Sequence, residues 1–195
     1  MGQPRRMGVE GSKMRTRFID AAEALLREEG FMAISARQVA SRAGLKNQLL
    51  YYYFRTMDDL ILAVLSRVNE RRMERFHEAL ASPDPLRALW ELNCDPSGAA
   101  LAAEFTSIAQ HREAVRAEIV SSAQHFRALQ VEAVSRLMGA RDAQDSPAAG
   151  MVMLAAALGR AIVTEQALGF DDGHPQALAM VERALAYYSA PPKPR

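Results

Sequence analysis

AGLKNQLLYYYF, residues 43–54, sets three consecutive tyrosines beside Asn47 and Gln48. A buried strand would account for the apolar character but not for the amides. A short helix accounts for both. At about 100° per residue, Leu50 and Phe54 form one ridge, while Gln48 and Tyr52 point the opposite way. Tyr51 and Leu49 flank that outer face, and Tyr53 falls near the edge of the buried side. One face docks on a domain; the other offers an amide, hydroxyls and aromatic edges to something outside.

The residues upstream complete a helix-turn-helix pattern. Ser35 followed by Gln38 has capping-box spacing and opens a short helix carrying Val39, Ala40 and Ala43. Its small residues permit close approach, Gly44 supplies the left-handed turn and Leu45 plugs the joint. In a DNA major groove the outer face of the following helix has a use. Gln or Asn pairs bidentately with adenine, apolar groups meet thymine methyls, and tyrosine hydroxyls bond phosphates. The N-terminal residues of such a helix reach the bases, here Asn47, Gln48 and Leu49.

Charge follows the same division. Residues 1–56 carry 10 Lys+Arg against 5 Asp+Glu, within a chain of 195 residues whose formal net charge is only +1. A basic first quarter on an acidic body is the footprint of a nucleic-acid partner. Composition is that of a globular protein, 49% hydrophobic and 24% charged. The lone Cys94 permits no internal disulfide, which fits a reducing compartment. No secretory signal is apparent, and the apolar run from Pro147 ends at Arg160, too short to span a bilayer. A cytoplasmic protein without a membrane partner is the expectation.

Apolar residues recur at helical spacing nearly throughout, so the fold class is all-α, with about nine helices and no internal repeat. A flexible basic arm is expected over 1–12, with Arg5 and Arg6 near a minor groove, and a helix-turn-helix domain over 13–56. A helical ligand-binding and dimerisation domain covers 57–189, with a loose tail over 190–195. Helices are expected near 13–29, 35–43, 47–54, 56–80, 85–93, 97–110 and 112–139, then from Ser146 to about Leu168, with the last ending near Ser189. Thr56 with Asp59, and Asp84 before Pro85, are helix-start signals.

The stretch AAEALLREEGFMAISARQVASRAGLKNQLLYYYFRTMDDL resembles the TetR family of one-component transcriptional regulators. The pattern is helix, Gly-Phe, a helix-2 Ser cap, Val-Ala, Ala-Gly-Leu, Leu-Tyr and Tyr-Phe, and it covers about the first third of the chain. The resemblance implies a recognition helix with Asn47, Gln48 and Leu49 at base-contacting positions and Tyr51 and Tyr52 at base or phosphate positions. It implies Tyr53 at the usual His/Tyr position and Arg37 at a backbone or guanine contact. Lys46 departs from the usual Ser or Thr cap and is read as a phosphate contact. Gln48 and Leu49 replace small residues, and Met57 replaces a Lys that contacts phosphate.

The resemblance also implies a homodimer, a double-stranded palindromic operator and a small apolar effector. Expected pocket lining is Trp90, Phe105, Ile108, Phe126, Met151 and Met153. Expected dimer contacts are Leu154, Leu158, Leu178, Val181, Leu185 and Tyr188. The four histidines are scattered without metal-ligand spacing, and Glu91, Glu104 and Glu113 read as solvated helix faces. No Gly-rich phosphate loop or nucleophile elbow is present, so neither enzyme, cofactor nor metal is expected. Two alternatives stay open: a DNA-binding protein of this fold without a small ligand, and a helical interaction module that binds no DNA.

Overall fold

The computed structural model describes residues 9–139 and 147–189. Among these, nine α-helices and one short 3-10 turn account for nearly the whole chain. They are α1 (Val9–Glu29), α2 (Ala36–Ala43), α3 (Asn47–Tyr53), α4 (Met57–Leu80), α5 (Pro85–Asn93), α6 (Pro96–His111), α7 (Glu113–Met138), α8 (Pro147–Leu168) and α9 (His174–Ser189). Helix α1 begins earlier than expected, so Val9–Ser12 belong to a helix rather than an arm. The rest of the arm, with Arg5 and Arg6, and the tail over 190–195 lie outside the described residues, as does Ser146.

The helix ends follow from local chemistry. Ser35 Oγ accepts the Gln38 amide at 3.3 Å and donates to Gln38 Oε1 at 2.7 Å. Thr56 and Asp59 form the reciprocal pair of a capping box, each amide donating to the other's side chain at 3.1 Å. Asp84 accepts the Arg87 amide ahead of Pro85.

The chain divides into two compact units, Met1–Asn69 with Ala100–Val120, and Glu70–Ala99 with Ser121–Arg195. The division falls inside α4 rather than at 56/57. The reason is packing: Leu60, Ile61, Val64 and Leu65 of α4 and Leu101, Phe105 and Ile108 of α6 share one buried core with Phe18, Leu26, Val39 and Leu50. Buried Glu23 accepts from Arg27 and Arg67, binding α1 to α4 within this first unit. Glu104, expected on a solvated face, instead accepts the Phe31 amide at 2.7 Å, just past Gly30 with its φ of 77°. Arg112 pairs with Asp58 at the start of α4.

In the second unit, Phe76, Ala79, Leu89, Phe126 and Ala133 form a separate core. Helices α5 and α8 approach closely at Gly159, where an added Cβ would lie 2.5 Å from the Asn93 carbonyl oxygen. Arg87 makes a two-pronged bond to Glu182, at 2.8 and 2.7 Å, tying α5 to α9. Helix α8 continues past Arg160, so the length limit read from the apolar run does not hold. By length and composition, Ala148–Leu168 could cross a membrane. Its Val152, Ile162 and Val163 are buried in the chain, and its Glu165 bonds His174 at 2.6 Å, which are the contacts of a bundle helix.

Candidate nucleic-acid interface and apolar groove

Helix α3 is held by its inner ridge. Leu50 is fully buried and Phe54 nearly so, with Phe54 packed edge-on to Phe18 at 6.5 Å. The turn before it is set by Gly44, in the left-handed region at φ 62°, ψ 36°. Arg17 of α1 donates to the Ala43 carbonyl there, fixing the end of α2 against α1. No sequence signal singled out Arg17; its role appears only once α1 and the turn are side by side.

On the outer side, Arg37, Lys46, Asn47, Gln48, Tyr51 and Tyr52 are exposed. Tyr51 and Tyr52 are 51% and 66% exposed, unusually high for side chains of that size in a folded domain. Leu49 and Tyr53 are half-buried and pack against the core, Tyr53 with its ring 6.2 Å from Phe18. Tyr52 leans edge-on against Tyr53 at 5.1 Å, so the outer aromatic is steadied by the inner one. Lys46 stands at the α3 N-cap with extended backbone and no side-chain capping bond. The structure therefore brings together, on one short helix and its lead-in, every expected DNA-contacting residue except Arg37, which lies on α2. Met57 packs against the core of this unit.

The second unit contains an apolar groove of about 560 Å³. Its floor is Leu86, Leu89, Trp90 and Asn93 of α5, and α7, α8 and α9 supply the walls. Of the six expected pocket residues, Trp90 and Met151 line it. Phe105 and Ile108 do not; they are core residues of the first unit. Phe126 packs edge-on to Phe76 at 5.2 Å, and Met153 is exposed on α8. Of the expected dimer residues, Leu154, Leu158, Val181, Leu185 and Tyr188 line the same groove, and Leu178 is partly exposed beside it. Leu86, Leu89 and Asn93 were missed, although with Trp90 they fall at i, i+3, i+4 and i+7, the spacing of one helix face. Among the described residues no charged side chain lines the groove, and its polar side chains are Asn93, Gln130 and Tyr188. Cys94, at the C-terminal end of α5, is half-buried, and burial raises its thiol pKa.

Comparison with known proteins places the helix-turn-helix. Residues 18–64 match the family model described as bacterial regulatory proteins, tetR family. The HTH-type transcriptional repressor KstR2 of Rhodococcus jostii strain RHA1 is 27% identical over 105 residues, 54% of this chain and 52% of the relative. The chain spans about half or less of the length of the curated relatives it matches. A TetR transcription regulator from Haloarcula marismortui ATCC 43049 superposes with a TM-score of 0.69 at 19% identity, covering 91% of this chain and 97% of that one. The multidrug binding protein EbrR, complexed with imidazole, does so at 0.62 and 23%, covering 100% of each chain. At those identities the likeness is one of fold. The helix-turn-helix of residues 18–64 is thus that of the tetR family of bacterial regulatory proteins.

Proposed function

We propose that this chain is a cytoplasmic DNA-binding transcriptional regulator. On this reading it is a repressor that binds a palindromic operator as a homodimer and is released by a small apolar effector. The observation that carries the reading is the outer face of α3. Gln48, Tyr51 and Tyr52 are exposed on a helix whose other side is locked by Leu50 and Phe54. Such a face is a poor surface for water and a good one for base edges and phosphates.

Dimerisation is supported by the exposed apolar side chains of α8 and α9: Met153, Leu154, Leu168, Leu178, Met180 and Tyr187. An apolar surface of that extent on two helices calls for a partner, and a twofold protein suits a twofold operator. The effector reading rests on the apolar groove around Trp90. Because α4 runs from one unit into the other, it is the element through which an effector would shift the population of DNA-competent dimers.

The test is binding of the purified protein to DNA fragments from around its own coding region at two salt concentrations, alongside Gln48→Ala and Tyr52→Ala. Specific, salt-sensitive binding weakened by both changes supports the reading. Binding no better than to random DNA, and the same in all three proteins, refutes it.

A further inference from the structure

The turn between α1 and α2 lacks a cap of its own. Phe31–Ala33 form a single 3-10 turn whose N-cap is Gly30, and Gly30 has no side chain to accept the turn's first amide. Gly30 sits at φ 77°, ψ 177°, and glycine is the residue least restrained by its own backbone. The joint on which α2 hangs is therefore soft by local chemistry. The acceptor it needs comes from α6. Glu104 Oε2 takes the Phe31 amide at 2.7 Å, from 73 residues away. A Cβ at position 30 would lie 3.3 Å from that same oxygen, so the glycine also makes room for the carboxylate.

Phe31 is held a second time through its ring. The Arg112 guanidinium, at the joint of α6 and α7, lies 5.5 Å from the ring centroid and pairs with Asp58 at the start of α4. All of these residues belong to the first unit. Beyond the turn the chain has little slack. Ile34 donates its amide to the Phe31 carbonyl at 2.9 Å, Ser35 caps α2, and α2 shares its core with α3 in Val39, Ala40 and Leu50. A shift at Phe31 is thus carried through α2, with its exposed Arg37, to the outer face of α3. Base readout depends on hydrogen bonds with narrow distance and angle limits, whereas phosphate attraction tolerates such shifts.

We infer that Glu104 is a positioning residue for DNA reading. Supplied from α6, it caps the Phe31 turn and so aims α2 and α3 without touching DNA itself. The inference rests on the DNA-binding reading above and adds a specificity-determining residue outside the helix-turn-helix. What matters is the acceptor oxygen: Glu104→Gln keeps one, and Glu104→Leu removes it while filling similar space.

The test compares wild type, Glu104→Gln, Glu104→Leu and Ile108→Val in the full chain. Ile108 is fully buried one turn further along α6, and trimming it removes core volume but no hydrogen-bond acceptor. Deuterium exchange of peptides covering residues 30–38 reads the grip itself, with no DNA present. Exchange there should rise about tenfold in Glu104→Leu and stay within about twofold of wild type in the other two. Binding is then titrated on the preferred fragment from around the coding region and on random DNA of the same length, at two salt concentrations. Glu104→Leu should lose about tenfold on the preferred fragment and no more than about twofold on random DNA, with an unchanged salt slope. Glu104→Gln should keep the wild-type preference, and so should Ile108→Val although its denaturation midpoint falls. Unchanged exchange in Glu104→Leu overturns the inference whatever the DNA does. So does a preference that survives in Glu104→Leu, or one that falls as far in Ile108→Val, since the role would then be one of stability alone. A Glu104→Gln protein that behaves like Glu104→Leu would assign the effect to charge and refute the capping role. If wild type prefers no fragment while exchange rises as expected, it is the DNA-binding reading that fails, and the positioning role falls with it.

Discussion

Gln48 and Leu50 are two positions apart and face opposite duties. Gln48 is exposed, so on the proposed reading its replacement removes a contact to DNA and none to the fold. Gln48→Ala and Tyr52→Ala should each weaken operator binding by about 1–3 kcal/mol with little change in melting temperature, as mobility-shift titration and calorimetry would show. Leu50 is fully buried among Phe18, Val39 and Leu60, so Leu50→Ala opens a cavity and should cost about 2–5 kcal/mol of stability. Gly159 is a third kind of position. It needs no unusual backbone angle; it is small because the Asn93 carbonyl occupies the space a Cβ would take. Gly159→Ala should destabilise the second unit by about 1–3 kcal/mol, read by chemical denaturation, because backbone rather than a pliable side chain must move. A wild-type midpoint in that variant would contradict the packing described.

At the level of the helices, α3 carries a local conflict. Its N-cap is Lys46, which makes no capping bond and sets a cation at the positive end of the helix dipole. Lys46→Ser should stabilise the first unit by about 0.5–2 kcal/mol through a restored cap. The same change should weaken DNA binding and flatten its salt dependence by about one phosphate contact. If Lys46→Ser raised stability and left DNA binding untouched, the lysine would have no phosphate partner. Helix α3 and its neighbours were legible because each signal was local: the Ser35 and Thr56 caps, Gly44, and the Leu50/Phe54 ridge all act within a few residues. Helix α6 was not. Leu101, Phe105 and Ile108 announce an apolar face by their spacing, but periodicity does not say which core the face joins, and here it joins Phe18 and Leu60 rather than a ligand pocket. The same limit applies to α8 and α9. The spacing of Leu154 on α8, and of Val181 and Leu185 on α9, marks an apolar stripe on each helix as a dimer contact, but spacing within a helix does not show that these side chains also line a groove. Helix spacing does not place Glu104, because its partner, the Phe31 amide, is 73 residues distant.

For the whole molecule, the apolar groove and the exposed apolar residues of α8 and α9 constrain each other. Leu154 is 71% exposed and also lines the groove, so a second copy seated on this face would cover the groove mouth as it buried Leu154. On the proposed reading, dimerisation and effector binding would then be linked: a ligand in the groove would change the surface that meets the partner, and by reciprocity the partner would change the affinity for the ligand. Leu154→Glu with Leu178→Glu should therefore yield a monomer in sedimentation, keep its helical circular dichroism, and lose operator binding far beyond the loss of one half-site contact. Paired recognition helices must reach half-sites about 34 Å apart, one turn of the duplex, and a lone unit has only a single half-site's contacts. Wild type should melt at a temperature that rises with protein concentration, and the double variant should not, since only the dimer gains by mass action. If the variant remained dimeric and still bound its operator, the partner would sit on another face, and the exposed apolar side chains of α8 and α9 would need a different occupant.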